Sequence, residues 1–205
     1  MIKLTNVTHI YDEKTVISDL SFTFPDNGCF ALMGPSGCGK TTLLHLLAGL
    51  AKPESGAITN SHQQIAMSFQ EPRLLPWLNC EDNIKLVLSE RHDAAELATK
   101  FLQAFELSDA AKQLPSELSG GMKQRLSLAR ALAYGGDLFL LDEPFSALDP
   151  DLKARIAPII KEATSHALVI FVTHDREDAA LLDAAVLECS GAPLSSLNPK
   201  GLCHK

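Results

Sequence analysis

Gly34-Pro35-Ser36-Gly37-Cys38-Gly39-Lys40-Thr41 satisfies the spacing G-x-x-x-x-G-K-[ST], and its residue types are those an extended phosphate chain requires. Main-chain N–H groups wrap an anion only where side chains do not intervene, so Gly34, Gly37 and Gly39 let the loop curl close to it. Lys40 offers a cation for β- and γ-phosphates, the Thr41 hydroxyl suits Mg²⁺, and Thr42 is placed for the α-phosphate. A plain glycine-rich turn ahead of an ordinary helix is the competing reading. The flanks argue against it: the stretch from Phe30 to Leu47 reads as a buried strand, then the turn, then an amphipathic helix starting near Lys40. That helix would aim unpaired N–H groups at the same anion.

Other candidates are scattered along the chain. Asp142-Glu143 leave the apolar run Leu138-Phe139-Leu140-Leu141, and two acids at the end of a buried strand are costly unless used. Asp142 would hold Mg²⁺ through a water, and Glu143 would polarise an attacking water. His174 ends a further apolar run, Ala167 to Val172, on the same strand-end side as Lys40 and Glu143. Gln70 follows another short strand and can reach a metal or a water without adding charge. Tyr11, at the end of the first strand, is either a strand-end aromatic or a platform for an adenine ring. Leu118-Ser119-Gly120-Gly121-Met122-Lys123-Gln124-Arg125 reads as a capped helix start with a bare backbone, a second anion-binding helix end. It cannot easily bend onto its own phosphate loop, so it invites a phosphate held by another copy. Cys38, at a helix N-terminus, is expected to favour its thiolate and to be alkylated with loss of function, a bound nucleoside triphosphate protecting.

These groups need a frame. Ile2 to Ile10 and Leu20 to Phe24 read as antiparallel strands, with a turn at Pro25-Asp26-Asn27-Gly28. Ala57 to Thr59 and Ile65 to Phe69 read as short strands. From Glu71 a proline-punctuated apolar loop holds Trp77, either a core anchor or part of a protein-docking surface. Helical periodicity follows through Asn83 to Leu88, Ala94 to Phe105 and Leu107 to Lys112. Residues 1–205 therefore read as one α/β domain: 1–70 and 135–205 form a core with a parallel central sheet and an N-terminal antiparallel β subdomain. Residues 71–134 form a helical insert. A helix opens at Ser146-Ala147-Leu148-Asp149-Pro150.

At 205 residues the chain suits one domain with a sizeable core. A formal charge of −7 argues against affinity for nucleic acid, which needs a basic face. Five cysteines, none spaced C-x-x-C, suggest neither a disulfide framework nor a zinc site and fit a reducing cytosol. No signal-peptide segment and no membrane-spanning run are expected.

Taken in order, GPSGCGKTT, LSGGMKQR, LFLLDEP, SALD and His174 resemble the ATP-binding subunit of ABC transporters, from Tyr11 to about Asp183. The resemblance implies a P-loop NTPase fold and ATP hydrolysis in a head-to-tail homodimer with two shared sites. Tyr11 would stack on adenine, the residues from Gly34 to Thr42 would cradle phosphates and Mg²⁺, and Gln70 would bind Mg²⁺ or the attacking water. His174 would contact the γ-phosphate. Ser119, Gly120 and Gly121 would come from the opposite subunit, with Asp149 bridging the interface. The stretch from Gln70 to Trp77 looks like the nitrate, sulfonate and taurine importer branch, although Asn79 and Cys80 depart from it. A cytoplasmic subunit on the inner membrane face is implied, with a membrane permease and, indirectly, a solute-binding protein as partners. No extra regulatory domain is expected after His174. The alternatives are a soluble ABC-type ATPase of DNA maintenance or cofactor assembly, and a P-loop kinase of small molecules, which would not need LSGGMKQR.

Overall fold

Strands without a polar face need cover on both sides, and the two most apolar runs obtain it. β6 (Leu138–Asp142) and β7 (Leu168–Val172) are buried at every residue. Successive side chains point to opposite faces. Leu138, Leu140, Leu168, Ile170 and Val172 therefore enter one hydrophobic cluster, while Phe139, Leu141, Val169 and Phe171 enter another. The first cluster is closed by α1 (Lys40–Leu47), the second by α4 (Gly120–Tyr134) and α5 (Pro150–Ala163). The structure, a computed structural model, describes residues 1–200; Cys203 lies outside the described residues.

The sheet has the order β5 (Ile65–Ser68), β6, β7, β3 (Gly28–Met33), β8 (Ala185–Cys189), β9 (Leu197–Lys200). Its first five strands run parallel and β9 pairs antiparallel at the edge. β1 (Ile2–Tyr11), β2 (Lys14–Phe24) and β4 (Ser55–Asn60) form a separate antiparallel sheet, ordered β2-β1-β4. Its inner residues, among them Ile2, Val7, Ile17 and Phe24, pack into the α1 cluster. The chain thus has the expected P-loop NTPase class of fold. In a parallel sheet the carboxyl ends of neighbouring strands share an edge. From that edge leave the loop at 34–39, Asp142-Glu143 and the turn Thr173-His174-Asp175.

Several local expectations change. β2 begins at Lys14, well before Leu20, because the strand continues through an irregular Asp19 at φ 51°. The periodicity over 83–88 belongs to α2 (Cys80–Lys85) and a 3-10 turn, and that over 107–112 to a single 3-10 turn at Ser108–Ala110. The helix over 94–105 is present as α3 (Ala94–Ala104). α6 (Arg176–Leu181), β8 and β9 were not anticipated. Trp77 is 70% exposed, which overturns the core-anchor reading.

The loop carrying Trp77 is held from below by Asn83, a fully buried amide. Asn83 Oδ1 accepts from the Leu75 N–H at 2.9 Å, and Nδ2 donates to the carbonyls of Leu75, Leu78 and Asn79. Arg130 of α4 reaches both Asn83 Oδ1 and the Arg73 carbonyl. An irregular segment has no ladder to satisfy its polar backbone, so this one side chain does it. Asn83→Ala leaves several of these groups unpaired and is expected to cost about 3 kcal/mol. Equilibrium urea unfolding measures it, and a loss below the measurement error would refute the anchoring role.

Candidate active site

Two glycines shape the phosphate loop by steric necessity. Gly39 has φ 108°, and a Cβ there would stand 3.1 Å from the Val16 carbonyl oxygen. Gly37 has φ 75° and opens into free space, so its left-handed backbone is the constraint. Gly39 caps α1 with no side-chain hydrogen bond, and the first turn contains no acid. The amides at the helix start are left for an anion.

Lys40 is 5% exposed, and its Nζ donates to the carbonyls of Gly34 and Pro35, each at 2.9 Å. An ammonium has three donors, and the third meets only the weak acceptor Cys38 Sγ at 3.8 Å, from which a stronger acceptor can take it. The loop is therefore braced from within by the cation it presents. A cavity of about 680 Å³ opens over it, bordered by Ser36, Gly37, Gly39, Lys40, Thr41 and Thr42. Tyr11, Gln70, Glu143 and His174 reach the same space. Gly34, Pro35 and Cys38 do not border it. The Cys38 N–H turns back to the Pro35 carbonyl, and its thiol is 1% exposed. The expected alkylation-sensitive thiol is thus corrected: Sγ lies under the loop, with Lys40 Nζ 3.8 Å away, and is not presented to solvent.

Asp142 is 2% exposed and its Oδ1 has no hydrogen-bond partner. Burial pushes this carboxyl above its ordinary range; the Thr41 hydroxyl opposes the shift and the neighbouring Glu143 charge adds to it. A buried carboxylate oxygen without a partner fits a hydrated divalent cation. Among the described residues no group of three or more His, Cys, Asp or Glu could hold a metal by itself. Thr41, Asp142 and Gln70 suit Mg²⁺, which commonly takes one or two carboxylates and completes its shell with water and substrate phosphate.

Glu143 adopts φ 50°, a strained value for a residue with a Cβ. Its N–H donates to the Val172 carbonyl at 3.1 Å, and its own carbonyl accepts from the Ser146 N–H and hydroxyl at 3.2 and 3.0 Å. Gln124 Nε2 from α4 lies 3.5 Å from the same carbonyl. The bend turns the carboxylate towards His174, whose Nε2 is 3.3 Å from Oε1. Ser146 and Gln124 were missed from sequence; the only signal for Gln124 was an amide on the buried face of an apolar helix.

Ser119, Gly120, Gly121 and Asp149 are not part of this cavity. Ser119 Oγ caps α4 by accepting from the Met122 N–H at 3.3 Å, leaving its O–H free to donate. Asp149 caps α5, accepting from the Leu152 N–H at 2.9 Å. Ser119, Gly120 and Asp149 are solvent-exposed. The structure therefore assembles the phosphate loop, the acid pair, Gln70, His174 and Tyr11, and keeps the serine-glycine helix start apart from them.

The ABC transporter family model matches residues 17–146. An aliphatic sulfonates import ATP-binding protein, SsuB 1 of Rhodococcus jostii (strain RHA1), is 40% identical over 191 residues, covering 90% of this chain and 77% of the relative. Nitrate transport protein NasD of Klebsiella oxytoca is 34% identical over 201 residues, covering 90% and 77%. Among solved structures, a dimeric ATP-binding cassette in a post-hydrolysis state bound to ADP and Pi superposes with a TM-score of 0.86 at 26% identity, covering 100% of both chains. The phosphate loop, the strained glutamate and the serine-glycine helix start thus sit in a chain that matches this family along most of its length, and the chain belongs to the ABC transporter family as an ATP-binding subunit.

Proposed function

We propose that two copies of this chain close head to tail around two molecules of Mg-ATP and that the closure drives a separate membrane permease importing a small anion. The observation that carries the reading is the division of the anion-binding parts. One cradle is complete in its own chain, while a second, exposed helix start with a free hydroxyl contributes nothing to that cavity. Head-to-tail pairing brings the Ser119-Gly120-Gly121 backbone of one copy to the phosphates held by the other, with Asp149 at the seam. The dimeric state of the superposed cassette supports the same arrangement.

Within each site, Lys40 turns the donor now on Cys38 Sγ to the β- and γ-phosphates, and the amides at the start of α1 take the rest of the phosphate chain's charge. Tyr11 offers its exposed ring to adenine. Thr41, Asp142 and Gln70 would hold Mg²⁺, which neutralises charge on the phosphates as the bond to the leaving group breaks. Glu143 orients the attacking water and draws on its proton. His174 fixes the Glu143 carboxylate and borders the cavity where the γ-phosphate would lie. Residues 71–134, helical between β5 and β6, form the insert that carries the Ser119 helix start; the whole of 1–205 acts as one ATPase domain.

The names of the relatives support a sulfonate- or nitrate-like solute, delivered by a solute-binding protein. No helix among the described residues is long and apolar enough to cross a membrane. Attachment to the inner membrane face is therefore assigned to the permease, through the exposed Trp77 loop.

Glu143→Gln is expected to retain ATP binding, to lower turnover by about 10²–10⁴ and to accumulate as a dimer in Mg-ATP by light scattering. A monomer at saturating Mg-ATP, alone and with the permease, would defeat the shared-site reading. Asp142→Asn tests the cation position. A carboxyl raised by burial makes the ligand-free protein less stable as pH climbs through its titration range. The amide should therefore raise the ligand-free melting temperature at neutral pH and abolish the extra stabilisation that Mg²⁺ gives to ATP. A lower melting temperature with an intact Mg²⁺ effect would contradict it. Trp77→Ala should leave basal ATPase unchanged and reduce recovery of the permease on the tagged subunit; undiminished recovery removes Trp77 from the contact.

A further inference from the structure

Lys153 lies in the first turn of α5, and its ammonium is drawn under the turn that carries His174. Nζ donates to Asp178 Oδ1 at 2.7 Å and lies 3.6 Å from Asp175 Oδ2. Asp178 is 4% exposed, and its other oxygen accepts from the Thr173 hydroxyl at 2.7 Å. The same hydroxyl oxygen accepts from the Asp175 N–H at 3.0 Å, and the Thr173 N–H donates to the Leu32 carbonyl of β3 at 3.3 Å. Both neighbours of His174 are thereby tied to one cation. The His174 side chain is itself 47% exposed, with the 3.3 Å approach to Glu143 as its polar contact.

Burial would lower the Lys153 ammonium, yet the hydrogen bond and charge of Asp178, with Asp175, hold it above its ordinary value. A desolvated pair of this kind is a poor staple, because the cost of removing both charges from water offsets most of their attraction. What it does fix is direction. A space of about 120 Å³ is bordered by Lys153, Asp178, Glu143 and His174 together, so the ion pair and the water-orienting pair line the same small cavity.

We propose that Lys153 is a positioning residue for hydrolysis, which through Asp175, Asp178 and Thr173 sets the turn that presents His174 to Glu143. The inference rests on the roles given above to Glu143 and His174. It also connects two places that the motifs treat separately. The Lys153 backbone N–H donates to the Asp149 carbonyl at 2.9 Å in the first turn of α5, so the residue whose ammonium holds the His174 turn also belongs to the helix start assigned to the seam between copies.

The test is steady-state ATPase of the full chain carrying Lys153→Met, Lys153→Arg or Thr173→Val, alone and combined with His174→Ala. Lys153→Met should lower kcat by about ten- to a hundredfold with KM for ATP and nucleotide affinity unchanged, as a small misplacement of the reacting groups does. Lys153→Arg should restore most of the rate. Thr173→Val, which removes one hydroxyl, should give a smaller loss of the same kind and carries the test if Lys153→Met does not fold. In the His174→Ala background neither change should reduce kcat further. Unchanged kcat in the folded variants, or losses that simply multiply with that of His174→Ala, would overturn the Lys153 link alone. Normal turnover by His174→Ala by itself would refute the role given to the histidine, and this inference with it.

Discussion

Residues 34–39 run between two neighbouring strands. On one side the Val16 carbonyl of β2 stands 3.1 Å from the place a Cβ on Gly39 would take; on the other, the Cys189 Cβ of β8 stands 3.0 Å from the same point on Gly34. A loop squeezed this tightly has one shape, and that shape presents amides where an extended phosphate chain lies. The two sheets serve this clamp. The antiparallel sheet supplies Val16, the parallel sheet supplies β3 and β8, and α1 packs its leucines into the cluster between them.

Preorganisation of this kind has costs, and they are visible at the sheet edge. Lys40 gives up water for two carbonyls, Asp142 is buried with an oxygen left over, and Glu143 sits in a backbone region that L-residues avoid. Each is unfavourable for the ligand-free chain, and each is relieved or used by a polyanion with its cation. Such strain persists only where the surroundings over-determine it. Around Glu143 they do, through Val172, Ser146 and Gln124. An acidic chain of net charge −7 can receive a triphosphate because the compensation is local: one ammonium, one open helix start and, in the proposed dimer, another from the second copy.

The parts legible in the sequence were those whose chemistry is contiguous. The phosphate loop, the acid pair after an all-apolar strand and the serine-glycine cap each carry their reason within about ten residues, and the parallel core followed from runs such as Leu138 to Leu141. What escaped was set by distant neighbours. Val16 borders the site only because β2 folds over Gly39, and nothing around it says so. Lys153 and Asp178, 25 residues apart, belong to no contiguous motif and meet only through the packing of α5 on α6. β8 was passed over because Glu188 interrupts a short apolar run, yet it lies beside β3 and forms one wall of the clamp. Trp77, by contrast, was left open by its residue type: of the core anchor and the docking surface, the structure excludes the first, since its loop satisfies its polar groups through Asn83 and has no need of the ring.

The attachment of Arg130 has a mechanical meaning. This arginine sits far along the same helix whose first residues follow Ser119, and it grips the Arg73 carbonyl and Asn83 under the tryptophan loop. At 1.5 Å per residue, the 15 residues of α4 make a rod of about 22 Å. A stiff rod with one end free and the other tied to this loop moves as a single body. In the proposed pairing, drawing its tip onto a neighbouring molecule's nucleotide would carry the indole at its heel along with it, without any intervening change of fold.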